Sequence, residues 1–392
     1  MTDAQTKILV DRRTIKLPAI ADLVKKAAAR EGIGAGRIMS EMFRLAVRRG
    51  GLTQREYFAH HLYRTSLSWD QKREFIGEME SYRLNLRLSP PGLTRMRGFL
   101  NDKITHTALW RAWGIPTTRT QAMFSRDRWL GPVPTLRDSD AIVDFLKRDA
   151  VCPLFGKPVE GLQSLGAVYI EAVDAAAGTA TLLTGETVGI DALADEIVRE
   201  FPDGYMFQDA ELQHPEISEI LGPALSCPRL VTIIEDDTPT VLYAYWKIAA
   251  YDGVSDNFWQ NDTMLAGIDV ATGTVTNCIT GKGPDETEVE THPVSGKPVT
   301  GYRIPYWAEA VEMVQNAHAI FPINGCLGWD VAFGPKGPVL IECNDNTGHD
   351  TYQLVAGHGA RHPSLKARFD RVIARNKRIL ADRKARVYKV ET

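Results

Sequence analysis

The sequence predicts an α+β protein: an N-terminal helical region followed by mixed sheets with helices on their faces. Three observations lead there. The first hundred residues carry helical periodicity broken by glycines, and from about residue 151 the texture changes to short β-type runs. Helical patterns then interrupt those runs without imposing a repeat. At 392 residues, 44 % hydrophobic and 24 % charged, the chain is sized for two or three domains. Its composition excludes disordered, collagen-like and disulfide-scaffold classes.

Taken in order, 19–29 is rich in Ala, Leu, Val and Lys, and Gly32, Gly34 and Gly36 end it. The stretch 37–49 sets Ile38, Met42, Leu45 and Ala46 near one face and stops at Gly50-Gly51. A helix is expected over 53–63, and Ser68 or Asp70 caps another running to about Leu86. Ser89-Pro90-Pro91-Gly92 is the clearest break in this half. A helix over 102–113 ends at Gly114. Strands are expected at 153–159, 167–173, 179–183, 205–210, 230–235, 241–249, 264–270, 328–333 and 339–342, with helices at 190–200 and 307–319. A basic surface helix, 364–387, closes the chain. The expected division is 1–95, 96–150, 151–245 and 246–392.

Charge is unevenly spread behind a net of −3. Residues 1–50 hold 11 Lys/Arg against 5 Asp/Glu, and residues 365–392 hold 10 against 3, so the middle is acidic. That argues against a nucleic-acid groove and suits acidic residues gathered round a metal. Five widely spaced cysteines without a C-x-x-C point to reduced thiols. No apolar run approaches the roughly 20 residues of a membrane helix, and MTDAQTKILVDRR has no signal-like apolar core. A cytoplasmic protein without membrane insertion is expected.

The strongest local pattern is Gly328-Trp329-Asp330-Val331-Ala332-Phe333, a tight turn, then Gly337 to Asn344. It reads as a hairpin in which Glu342 and Asn344 share a face and pairing brings Asp330 beside them. Two carboxylates and an amide oxygen suit Mg²⁺ shared with phosphates; polar residues on a wet face are the plainer reading. A second pattern runs from Phe155-Gly156-Lys157 into a loop with Gly161, Ser164 and Gly166, where backbone N–H groups and a lysine can meet an anion. It is no Walker P-loop. Gly32-x-Gly34-x-Gly36 has no strand before it, so a dinucleotide fold is not indicated.

Other clusters point to less. Gly357, Gly359 and Pro363 around His358 and His362 oppose a helix presenting a zinc site with His349. His60-His61 reads as packing or surface, and Asp285, Glu286, Glu288 and Glu290 as a solvated loop or a lid. The basic ends lack an RNA motif or interleaved aromatics. There is no Gly-x-Ser-x-Gly elbow, and nothing makes Cys227 or Cys343 a nucleophile.

The order of the pieces resembles the ATP-grasp superfamily, and within it the sugar-transfer associated (alpha-L-glutamate ligase-related) branch. The resemblance covers about 100 to 355. It rests on Leu100-Asn101-Asp102-Lys103, Gly114-Ile115-Pro116, Gly156-Lys157-Pro158 with its glycine loop, and Gly204-Tyr205-Met206-Phe207-Gln208. Gln213-His214-Pro215, Arg229-Leu230-Val231-Thr232, Asp256-Asn257, the stretch 301–307 and Glu342-Cys343-Asn344 continue it.

By this resemblance two α+β subdomains, 151–245 and 246–392, clamp ATP. Lys103 and Lys157 contact its phosphates, and Gly161, Ser164 and Gly166 fold over them. Gln208 or Glu211 lies by the base or ribose with His214 as a neighbour, while Asp330, Glu342 and Asn344 hold Mg²⁺. Arg229 matches a position suited to the transferring phosphoryl or acyl phosphate, or is a strand-start arginine in a salt bridge. Lys247 sits near the phosphates or faces solvent. The implied activity is an ADP-forming carboxylate–amine ligase acting through an acyl phosphate on small-molecule substrates, with an oligomer allowed. The alternatives are a kinase acting on a hydroxyl, or a non-catalytic nucleotide-binding subunit. Ser226-Cys227-Pro228 before Arg229, and Phe258 after Asn257, depart from the family's usual residues on the acceptor side.

Overall fold

The structure, a computed structural model, describes residues 8–9, 18–48, 51–93, 97–160, 165–251 and 263–387. Helices come first: α1 (Ile20–Glu31), α2 (Ala35–Ala46), α3 (Gln54–Ala59), α4 (Trp69–Glu74) and α5 (Glu78–Leu88), then α6 (Arg97–Asn101) and α7 (Lys103–Ala112). The first sheet and its helices follow as β1 (Thr120–Phe124), β2 (Thr135–Leu136), α8 (Ser139–Arg148), β3 (Leu154–Pro158), β4 (Val168–Asp174), β5 (Thr179–Leu182), β6 (Thr187–Gly189), α9 (Ile190–Glu200) and β7 (Tyr205–Asp209). Next come α10 (Pro215–Leu221), β8 (Pro228–Ile234), β9 (Pro239–Ile248), β10 (Met264–Ile268), β11 (Val275–Thr280), β12 (Thr287–Glu288) and α11 (Trp307–Ala319). The chain closes with β13 (Cys326–Gly334), β14 (Gly337–Asn344), α12 (His349–Ala356) and α13 (Pro363–Val387).

Two seven-stranded sheets result, ordered β2-β1-β7-β3-β4-β5-β6 and β12-β11-β10-β9-β8-β13-β14. All pairings are antiparallel except β1 with β2. β8, within the expected 151–245 division, and β9, which crosses its end, bond into the second sheet. β1, from the expected 96–150 linker, bonds into the first.

Several expected elements differ in length, each for a physical reason. The helix expected over 53–63 stops at Ala59, because the chain turns at His61 with φ +51°. Ser68, not Asp70, caps α4 in a capping box with Gln71. The helix expected to run on to Leu86 breaks at 75–77. There the Arg48 guanidinium takes the carbonyls of Arg73, at 2.6 Å, and Phe75. Gly77 also lets the Glu56 carboxylate come against the backbone and accept from Glu78 N at 2.7 Å. β1, β2, β6, β11, β12, α6, α8, α10 and α12 were not among the expected elements. β1 (TQAMF) lacks alternation, and α12 is short, entered and left through left-handed Gly348 and Gly357.

Four main cores hold these layers. α1–α4 enclose their own core around Leu45, Tyr57, Phe58 and Tyr63. α8 and α9 cover one face of the first sheet, burying Ile142, Phe145, Leu193 and Ile197. The second sheet is covered on both faces. One side joins Trp246 and Trp329 to α10 and α11, and the other joins Tyr243, Leu265 and Cys326 to α5, α12 and α13. That second face also carries the candidate site.

Candidate functional site at the strand ends of the second sheet

Hairpin β13–β14 closes on Gly334 and Gly337, whose φ of +132° favours glycine, and its register sets Asp330 opposite Glu342 and Gly328 opposite Asn344. On the other side Asp330 faces Arg229 of β8, and Arg229 faces Tyr245 of β9. Lys247 stands two residues beyond Tyr245 and so shares its face. The pleat therefore gathers Arg229, Lys247, Asp330 and Glu342 into one row, with Asn344 one step behind.

Asp330 is 5 % exposed and fully engaged. Arg229 donates to it twice, through Nε to Oδ1 and through Nη2 to Oδ2 at 2.8 Å, and Lys247 Nζ lies 3.3 Å from Oδ2. Burial pushes the carboxyl upward, but the two cations outweigh it and hold it at about 2. Burial likewise lowers the Arg229 guanidinium, and Asp330 reverses this, leaving it well above its ordinary value. Lys247 is turned toward Asp330. Arg229 has room because Gly328 has no side chain: a Cβ there would lie 3.1 Å from Arg229 Cδ.

Two lysines approach from across the cleft. Lys103 opens α7, after Asp102 caps it by accepting from Thr105 N at 2.9 Å. Its Nζ lies 3.7 Å from Glu342 Oε1 and 3.4 Å from the Val159 carbonyl. Lys157, on β3 opposite Met206, has its ammonium lowered by burial, with Glu342 opposing that shift and Lys103 adding to it. Glu342 thus faces both lysines, while Asn344 Nδ2 is buried without a hydrogen-bond partner.

Gly161 and Ser164 lie outside the described residues, as do Asp256 and Asn257. Gly166 adopts φ +79°, where a Cβ would run into the Phe201 ring, and its carbonyl accepts from Tyr205 at 2.8 Å. The segment after β7 bridges the sheets: Ala210 N donates to the Pro153 carbonyl at 3.1 Å and His214 N to that of Phe333 at 2.7 Å. Gln208 is buried and spends its amide on Thr118 and Thr120, at 2.9 and 3.4 Å. Burial raises the Glu211 carboxyl. His214 stands at the N-cap position of α10 without a side-chain cap bond, packs against Tyr306 with ring centroids 5.8 Å apart, and leaves Nδ1 buried without a partner.

The histidines of the last third are dispersed. His349 is buried against Asn85 and Tyr243, at 3.0 and 2.5 Å, and His358 stacks on His362. Among the described residues no group of three or more His, Cys, Asp or Glu side chains could hold a metal. The Cys343 thiol is buried and pushed well up, which leaves no thiolate. Asp285, Glu288 and Glu290 are exposed, as a solvated loop would have them, whereas Glu286 is buried; Asp285 pairs with Lys26 and Glu286 with His61 of the N-terminal region, both at 2.7 Å.

Sequence reasoning missed two groups around this row. His106 lies three residues after Lys103, one helical turn along the same face of α7, and that spacing was the available signal. Asn85 of α5 donates to Asn346 at 2.8 Å and accepts from Thr347 and His349, steadying the loop after Asn344. No local pattern marks it.

A family model described as sugar-transfer associated ATP-grasp matches residues 99–368. Among solved structures the chain is similar to the D-alanine-D-alanine ligase from Coxiella burnetii, with 12 % identity, 74 % of this chain and 61 % of that one covered, and a TM-score of 0.39. It is also similar to the VanG D-Ala:D-Ser ligase from Enterococcus faecalis, with 15 % identity, 70 % and 61 % covered, and a TM-score of 0.36. For the L-amino acid ligase from Bacillus licheniformis the values are 10 %, 65 % and 42 %, and 0.32. The chain thus spans less than two thirds of the length of these proteins. No curated protein sequence matches it.

Proposed function

The chain belongs to the sugar-transfer associated ATP-grasp family, whose superfamily typically binds ATP, and from that premise we propose that it is an ATP- and Mg²⁺-dependent carboxylate–amine ligase acting on small molecules. The observation that carries this reading is the convergence of Arg229, Lys247, Asp330 and Glu342 in one row with Lys103 and Lys157 opposite. Four cations facing two carboxylates suit a polyphosphate held with a divalent ion.

Asp330, Glu342 and Asn344 would hold Mg²⁺. They offer hard oxygens: Glu342 lies 3.7 Å from Lys103, and Asp330, held here by Arg229 and Lys247, would exchange part of that pairing for the ion. When bound, the ion neutralises charge on the transferring phosphoryl group. Lys103 and Lys157 take the phosphate oxygens of ATP, and Glu211 and His214 the nucleoside end. An oxygen of the substrate carboxylate bonds to the γ-phosphorus while the bridging oxygen leaves with ADP. An amine nitrogen then bonds to the acyl carbon, the C–O bond to phosphate breaks, and the nitrogen gives up a proton. Arg229, oriented by Asp330, stabilises the acyl phosphate.

The test is incubation of the purified chain with ATP, Mg²⁺, pooled carboxylic acids and hydroxylamine as the amine. Hydroxamate formed together with ADP is the expected result, and its mass identifies the acid. ADP with a stable phosphorylated hydroxyl and no hydroxamate would replace the ligase by a kinase, and tight Mg·ATP binding without turnover in any acid pool would replace it by a regulatory subunit.

A further inference from the structure

His106 lies on α7 between Lys103 and Trp110 and is 1 % exposed. Two contacts fix its ring. Nδ1 lies 2.9 Å from the Leu100 carbonyl, which can only accept, so Nδ1 carries the proton. The ring also stacks on Trp110, centroids 4.2 Å apart and planes at 23°, and Trp110 leans on Trp329 behind it. Nε2 is thereby aimed and left as a bare lone pair, buried with no hydrogen-bond partner. A buried polar atom without a partner costs about 1–3 kcal/mol, so its persistence asks for a reason.

The charged groups felt by the ring supply one. They are Lys157 and Lys103, placed above at the phosphates, and Glu342, placed at the ion, and burial keeps the imidazole neutral by lowering it to about 4. Among these, Lys157 carries a desolvated ammonium on the facing strand. The layer is shared: Lys157, on β3, lies opposite Met206, and Ile104 of α7, two residues before His106, packs on Met206 and Val159.

We propose that His106 is a positioning residue of the phosphate site: its Nε2 accepts one N–H of Lys157 when nucleotide binds, which directs the remaining ammonium protons at the phosphate oxygens. The inference rests on the ATP reading. It predicts that His106 matters to phosphate and not to adenosine.

Calorimetric titration of the full chain with Mg²⁺ and a non-hydrolysable ATP analogue, and separately with adenosine, tests it. His106→Asn keeps a donor for Leu100 but has no atom at Nε2, whereas His106→Gln reaches the Nε2 position with its amide oxygen. The expected result is about a tenfold loss of analogue affinity in His106→Asn, unchanged adenosine binding, and recovery to within about twofold in His106→Gln. Wild-type affinity in His106→Asn would overturn the inference. So would equal losses for analogue and adenosine, or equal losses in both variants, because those are the marks of packing alone. If the unsubstituted chain binds no analogue, the ATP reading itself falls, and the proposal with it.

Discussion

Removing Arg229 should expose how much of the site is held by one buried ion pair. In Arg229→Met the aliphatic stem is largely kept, but Asp330 loses both guanidinium hydrogen bonds and retains only Lys247 at 3.3 Å. Stripping one partner from a buried pair costs about 3–5 kcal/mol; with Lys247 still in place we expect the lower end, about 3 kcal/mol at pH 7. Urea unfolding followed by tryptophan fluorescence reads this directly, since Trp329 adjoins Asp330 and Trp246 adjoins Lys247, both buried. The pH dependence gives a second check. Asp330 is held at about 2 in the folded chain against 3.8 unfolded, so its contribution, roughly 2 kcal/mol, is present above pH 4 and lost as pH falls toward 2. The gap between wild type and Arg229→Met should therefore narrow over that window. In an Asp330→Asn background the same substitution should cost far less, because no buried charge is stranded. A loss below about 0.5 kcal/mol at pH 7, or an equal loss in both backgrounds, would refute the reasoning.

Further outcomes follow from the same geometry. Lys157→Ala should weaken Mg·ATP binding at least about tenfold while sparing adenosine, measured by calorimetry. Glu342→Gln should lower Mg²⁺-dependent turnover by about 10²-fold or more and shift its half-saturating Mg²⁺ upward, read from steady-state kinetics over a Mg²⁺ series. Gly166→Ala should destabilise by about 1–3 kcal/mol in urea, because φ +79° strains any side chain and the Cβ meets Phe201. Asn85→Leu should raise the Mg²⁺ requirement more than it raises the KM for ATP, because its bonds steady the loop after Asn344 and none reaches the lysines.

Local chemistry marks some elements plainly and others not at all. α9 and α11 match their expected spans because each is an amphipathic run between turn residues. The β13–β14 hairpin was readable from its glycine-closed turn, and with it the shared face of Asp330, Glu342 and Asn344. The interruption between α4 and α5 was not, since it depends on Arg48, remote in sequence, reaching the carbonyls of Arg73 and Phe75. β1 was equally hidden, because five residues without alternation become a strand by pairing with β2 and β7.

The order of motifs and the residue types they carry were therefore set by the sequence alone: lysine after an apolar strand, two carboxylates and an amide on one hairpin, an arginine opening a strand. Which of them meet was decided by pairing across the sheet. Arg229 and Asp330 are 101 residues apart, yet neighbouring strands place them opposite each other, and the missing side chain of Gly328 makes room for the guanidinium. The closing of α7 over that row is of the same kind, since it buries His106 against Trp110, which in turn leans on Trp329 of β13. Periodicity reports which face a residue takes, but burial and charge depend on neighbours distant in sequence, and these exist only once the sheets are built.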